Sequence, residues 1–315
     1  MPSLRRDSPG YARATPSVEK RTRRGGRLSR CRARLAALVP ACLLAGLPAW
    51  AAAAGTAARV VTLAPHITEM VFAAGAGHTL AGTVVSSNYP DAARALPKVG
   101  DGAASVNAEA LVRLKPDLVL AWHASGAAAA VAPLLQSLGV PLEFLAPARL
   151  DDIPDQIEGL GKRLGTQEKA QRAASALRDE LRELRRRYAN RPPVSVFIEI
   201  GHSPLYAVGK DALLNDALHT CGGANVFGDS AFAALPIGAE HIVQKHPGVI
   251  LAAAATPQQE RQAKDRWAAL GLANPTHTQV YGIDPDTLFR PGPRLIDATR
   301  DLCRKLEDAR KRMRH

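Results

Sequence analysis

Short apolar runs alternate with helical patterns from Arg59 onward. Residues 59–64 predict a buried strand, 66–74 a helix ending at Gly75, and 80–85 a second strand. Residues 108–114 predict a short helix stopped by Pro116, 117–122 a strand, 127–138 a helix closed by Gly139, and 141–145 a strand. A second series follows. It has a strand at 194–200, a helix at 211–220 stopped by Gly222 and Gly223, and a strand at 249–253. It continues with a helix at 258–270, a strand at 279–283 and an amphipathic helix at 294–310. Such alternation predicts parallel βαβ units in an α/β fold.

Between the two series lies the stretch 166–188. Ala170, Ala174, Leu177, Leu181, Leu184 and Tyr188 are spaced to form one narrow apolar seam on an otherwise charged helix. No Gly or Pro interrupts it, and at 1.5 Å per residue it reaches roughly 35 Å. Alone it reads equally as a surface helix or as an organising one. The αβ halves on either side favour the organiser. The predicted organisation is two Rossmann-like lobes, 58–160 and 191–315, joined by one long rigid backbone helix within 161–190.

The halves also share letters. Glu109 through Ala121 aligns without a gap onto Glu240 through Ala252, with Glu, Val, Pro, Leu and Ala coinciding, and a Leu-Gly pair follows each at Leu138-Gly139 and Leu270-Gly271. This reads as an internal repeat of one lobe plan. Two such lobes describe a protein with a ligand cleft, which in open α/β sheets lies outside the carboxyl ends of the strands.

The net charge of +12 suggests nucleic acid, but its distribution argues against that reading. Residues 1–54 hold 11 Lys and Arg against 2 Asp and Glu, leaving +3 for the rest, whose basic runs carry no interleaved aromatics. Residues 1–53 read instead as a basic leader and secretory signal peptide, with an apolar run at 35–50 and a cleavage site at Ala49-Trp50-Ala51. That run is short for a membrane span and holds two prolines. Val39 through Cys42 faintly resembles a lipoprotein processing box, with an atypical Pro. Cys221 and Cys303 remain after cleavage, as either a disulfide in an oxidising compartment or two buried thiols.

Candidate chemistry is sparse. His66, His123 and His202 each follow a strand, so they could face one cleft, as metal ligands with Tyr89, as hydrogen-bonding groups for a bound molecule, or merely as partners of loop backbone. No zinc-type spacing, nucleophile elbow or phosphate-binding glycine loop is present, and Glu69 and Glu199 stand isolated in sequence. These features argue against an enzyme and against a resident metal or cofactor.

The motifs Val61 through Pro65, Ser87-Asn88-Tyr89-Pro90, Leu114 through Trp122, Cys221 through Phe227 and Pro293-Arg294 with Leu302-Cys303 carry a family likeness. In their order and spacing the chain from about Arg59 to Leu306 resembles the helical-backbone periplasmic binding proteins that serve cobalamin, haem and siderophore importers, and it is most similar to the cobalamin-binding members. The resemblance implies a monomeric periplasmic receptor that captures cobalamin or a related corrinoid and delivers it to the permease of an ABC importer. A haem or ferric siderophore is the alternative ligand, and a chelatase-like enzyme on the same scaffold the alternative class. It further implies a Cys221–Cys303 disulfide and ligand contacts from Tyr89, Trp122, His123, Asp286, Phe289 and Arg290. Glu109 and Glu240, the opening glutamates of the repeat, are the expected permease-docking carboxylates. Two departures stand out. The cobalamin-binding members carry Trp within the segment matching 100–105 and near Ala234–Leu235, where this chain has none and only Phe232 or Leu235 stands in.

Overall fold

The computed structural model describes residues 56–124, 126–188, 190–273 and 277–313; the leader and signal peptide read over 1–53 lie outside them. Among the described residues no helix is long and apolar enough to cross a membrane.

The first series folds as β1 (Val60–Thr62), α1 (Pro65–Ala73), β2 (Leu80–Gly82), α2 (Asp91–Arg94), α3 (Ala108–Arg113), β3 (Leu118–Ala121), α4 (Gly126–Ser137) and β4 (Leu142–Phe144). Its four strands are all parallel, in the order β2-β1-β3-β4. β1 and β3 are buried along their whole length, which is why they appear in sequence as unbroken apolar runs rather than alternating ones.

Two helices follow, α5 (Asp152–Arg163) and α6 (Gln167–Tyr188), packed along each other. α6 is the predicted long helix. On its seam Ala170, Ala174, Leu181, Leu184 and Tyr188 are buried, and Leu177 is half-buried. α5 lies where no element was expected. Its Gly161 fits the crossing closely, because a Cβ there would stand 2.2 Å from the Ala170 Cβ. Arginines on the flanks of α6 reinforce the pair. Arg178 bonds to Glu158 at 2.7 Å and Asp155 at 2.6 Å, while Arg185 grips Asp151 through two bonds of 2.9 and 2.7 Å. Those bonds hold the Asp151 carboxyl below its ordinary pKa.

The second series gives β5 (Val194–His202), β6 (Leu205–Val208), α7 (Ala212–Thr220), β7 (Gly223–Asn225), β8 (Ala234–Pro236), α8 (Ala239–Lys245), β9 (Val249–Ala253), α9 (Pro257–Ala269), β10 (Gln279–Ile283), α10 (Pro285–Leu288) and α11 (Pro293–Arg312). Its sheet runs β10-β9-β5-β6-β8, with β7 also beside β5. β10, β9 and β5 are parallel, as the alternation predicts, but β6 and β8 are antiparallel. The physical reason is the connection: two residues, Ser203 and Pro204, link β5 to β6, far too few for a crossover. The second sheet is therefore mixed where parallel units alone were expected.

The sequence repeat is also a repeat of shape. β3 lies beside β1 as β9 lies beside β5, each in parallel. The aligned residues Lys115 and His246, each followed by Pro, both adopt the left-handed region, at φ 47° and 44°. Proline disfavours the helical region for the residue before it, so each helix breaks sharply into its strand at the same place.

Three apolar cores result. One covers the outer face of the first sheet, around Val61, Val119, Leu111 and Leu135, and one the outer face of the second, around Phe197, Ile250, Ile242 and Trp267. The third lies between the sheets and is shared. Val60, Leu118 and Leu120 from the first sheet and Val196, Ile198 and Leu251 from the second join side chains of α1, α5, α6, α7 and α11 in one cluster. α6 is thus one member of a central helical layer. Within that layer Cys221, at the end of α7, and Cys303 of α11 form a disulfide.

Candidate ligand-binding cleft

A cavity of about 410 Å³ opens between the carboxyl ends of strands from both sheets. Trp122 and His123 follow β3 directly, Ala146 through Ala148 follow β4, and Ile200 and Val208 come from β5 and β6. The start of α7 contributes Leu213 and Leu214, and Leu288 and Phe289 lie at the end of α10. The wall is mostly apolar, with His123, Lys210 and Asp211 as its ionisable groups. Asp211 is engaged in capping α7, accepting a bond from the Leu214 amide at 2.8 Å.

Aromatic rings build the first-sheet wall. Trp122, 41% exposed, stacks on His123 with centroids 4.6 Å apart, and its edge meets His66 at 5.0 Å. His66 is buried on α1 and hydrogen-bonded to the Leu145 backbone, while its Nε2 has no partner. Burial pushes its pKa down to about 3, so the ring is neutral, with Nε2 as a bare acceptor. His202 does not join this group. It sits at the tip of the β5–β6 hairpin, exposed, with Nδ1 3.8 Å from Glu199.

Beside the cavity a polar cluster crosses from one half to the other. On the second side, Asp286 and Arg290 are paired at 2.7 Å. Asn88, from the loop after β2, donates to Asp286 at 2.8 Å and accepts from Arg290 at 2.7 Å. Behind them Glu69 of α1 receives two bonds from Arg294, at 3.0 and 2.6 Å, and lies 3.8 Å from Arg290. The Arg294 guanidinium also sits 4.5 Å from the centroid of the Tyr89 ring. The loop bearing Asn88 and Tyr89 is held from below by four buried hydroxyls, those of Thr62, Thr68, Thr83 and Ser87, bonded to one another at 2.7–3.0 Å.

Of the expected ligand contacts, Trp122, His123 and Phe289 are on the cavity wall, and Tyr89, Asp286 and Arg290 are in the adjoining polar cluster. Glu109 and Glu240 are exposed, each in the first turn of its short helix, beside Arg113 at 3.2 Å and His241 at 3.3 Å. The segment 100–105, where an aromatic was missed, is a turn in which Asp101 accepts bonds from the amides of Ala103, Ala104 and Ser105. Phe232 is 69% exposed, next to the wall residues Ala233 and Ala234. Sequence reasoning missed Lys210, the Ala146–Ala148 wall, Asn88 as a bridge, and the arginine partners of Glu69. Lys210 carried no usable signal, because the strand it follows, β6, is too short to read from sequence.

The periplasmic binding protein family matches residues 60–287. The vitamin B12-binding protein of Vibrio cholerae is 33% identical over 257 residues, spanning 81% of this chain and 91% of its own. The crystal structure of the periplasmic vitamin B12-binding protein of Vibrio cholerae superposes with a TM-score of 0.73 at 32% identity, covering 81% of this chain and 99% of that one. The periplasmic haem-binding protein of Roseiflexus sp. RS-1 gives 0.66 at 27% identity, covering 80% and 98%. On the extent of these matches, the chain belongs to the periplasmic binding protein family.

Proposed function

We propose that the protein is a periplasmic receptor that captures cobalamin or a related corrinoid between its lobes and hands it to an ABC importer. The observation that carries this reading is the set of relatives named for vitamin B12 binding, together with an apolar cleft at the strand ends. Trp122 and Phe289 supply ring faces to the macrocycle, and His123, Asp286 and Arg290 meet its polar substituents. Tyr89 borders the cleft beneath Arg294. A corrinoid exceeds the enclosed space, so it enters with one edge and leaves the rest at the mouth, within reach of Phe232.

The central helical layer and the Glu69–Arg294 bridge keep the halves at a fixed separation, so capture proceeds with little closure. Glu109 and Glu240 then present matching carboxylates to a permease with two-fold symmetry. Titration of the purified protein with cyanocobalamin and with haemin tests the ligand. Micromolar or tighter binding of cyanocobalamin is the expected result. Haemin binding without a cobalamin response would replace the reading with the haem alternative, which the Roseiflexus neighbour and the wall imidazole of His123 favour. Replacing Glu109 and Glu240 together with Arg should abolish uptake and leave ligand affinity intact; undiminished uptake would remove the docking role.

A further inference from the structure

Asn88 is the one residue of the polar cluster whose side chain is itself a primary carboxamide. Its position on Asp286 and Arg290 is chemically informative. A carboxylate only accepts hydrogen bonds and a guanidinium only donates them, so the amide N–H must face Asp286 and the amide oxygen Arg290. The distances, 2.8 and 2.7 Å, agree with that orientation. Asp286 and Arg290 are also bonded to each other at 2.7 Å, so the three groups close a ring. The pair is therefore shaped and charged to hold one carboxamide. Asp286 is 42% exposed in its side chain, and Phe289, between the pair in sequence, lines the cavity.

We infer that Asn88 is an internal stand-in for the ligand: the Asp286–Arg290 pair is a receptor for a primary carboxamide on the cargo's rim, and Asn88 occupies it until the cargo displaces it. The inference rests on the corrinoid reading and refines it. A corrinoid carries primary carboxamides around its ring, whereas haem carries carboxylates. Charge at the site separates the two. Glu69 and Asp286 already balance Arg290 and Arg294, and Asp284 adds further negative charge close to Arg294. At the pair, an incoming carboxylate would find both arginines already matched by acids and would meet Asp286 as a like charge. An incoming carboxamide exchanges for Asn88 bond for bond. Exchange requires only that the Asn88 side chain swing away. Its backbone stays in place, since Ser87 is held by the hydroxyl network and the Asn88 carbonyl accepts from Arg94 at 3.0 Å.

The test titrates wild type, Asn88→Ala and Asn88→Asp with cyanocobalamin and with its isomeric monocarboxylic acids, each carrying one hydrolysed side-chain amide. Removing the competing amide should tighten cyanocobalamin binding roughly tenfold in Asn88→Ala, the scale of one hydrogen bond to a charged group. Asn88→Asp should tighten it as well, because its carboxylate is repelled by Asp286. At least one monocarboxylic acid should bind the wild type roughly tenfold more weakly than cyanocobalamin, and Asp286→Asn should erase that preference. In the wild type, saturating cyanocobalamin should shift the side-chain ¹⁵N–¹H₂ resonances of Asn88. Unchanged or weaker cyanocobalamin binding by both Asn88 variants, with melting temperatures equal to wild type, would make Asn88 a fixed strut and overturn the inference. So would equal binding of every monocarboxylic acid, or an unmoved Asn88 resonance. Failure of the corrinoid reading itself appears separately, as wild-type binding of haemin without cyanocobalamin.

Discussion

Glu69 and Glu199 are both almost wholly buried, at 3% and 1% exposure, and both are bonded to an arginine on a helix. They differ in what they join. Glu199 lies on β5 and binds Arg266 at 2.5 Å and the Trp267 indole N–H at 2.8 Å, both on α9, which covers the outer face of the same sheet. Glu69 binds Arg294, 225 residues away, on the helix that follows the cavity-wall residues Leu288, Phe289 and Pro291. A buried ion pair within one lobe bears on that lobe's stability. The same chemistry in Glu69 and Arg294 joins residues of the first and second series beside the cleft.

The largest effect expected from this contrast is at Glu199. Glu199→Ala strands the Arg266 guanidinium and the Trp267 N–H, and should cost about 3–5 kcal/mol in urea denaturation. Ligand affinity of the folded protein should not change; a parallel loss of affinity would erase the distinction. Glu69→Gln keeps the shape but removes the charge opposite Arg294, at about 2–3 kcal/mol. Its specific signature should be a broader distance distribution between spin labels on the two halves, read by pulsed electron spin resonance. An unaltered distribution would mean that the bridge does not set the separation.

Acid should act on the first region through His66. The unfolded chain takes up a proton on His66 near pH 6.5, while the folded chain refuses it until about pH 3. Between those values the unfolded state binds more protons, so this contribution is complete above pH 6.5 and is lost as pH falls, by up to about 1.4 kcal/mol per pH unit. His66→Asn should flatten that part of the stability–pH curve, and an unchanged curve would remove His66 as its source. The smallest effect is at Tyr89. Tyr89→Leu removes the ring under Arg294 and should cost about 0.5–1 kcal/mol, detected by a double-mutant cycle with Arg294→Met.

Much of the scaffold is readable from sequence because burial imposes a period. β9 and β10 were predicted to the residue, and α6 began one residue later than expected. α5 escaped because Pro154, Gly159 and Gly161 look like breakers. Yet Pro154 sits in the first turn, where its missing N–H is no loss, and Gly161 is required by the α6 crossing. The antiparallel strands β6 and β8 were hidden by their shortness and by a Ser-Pro turn between β5 and β6 that reads as loop. In the cleft, residues directly after strand ends, such as Trp122 and His123, could be anticipated from topology. The bridge could not. Glu69 looked isolated because its partners are distant in sequence, and Asn88 was visible only as part of a motif.

The shared inner core has a consequence for biosynthesis. α11 supplies Leu295, Ile296, Leu302, Leu306 and Ala309 to that core, as well as Arg294 and Cys303. A ribosome makes it after every other described element. Until then the first sheet can form its outer core but has nothing to complete its inner one, and the disulfide lacks its second thiol. Completing the shared core and the disulfide therefore depends on the last described helix.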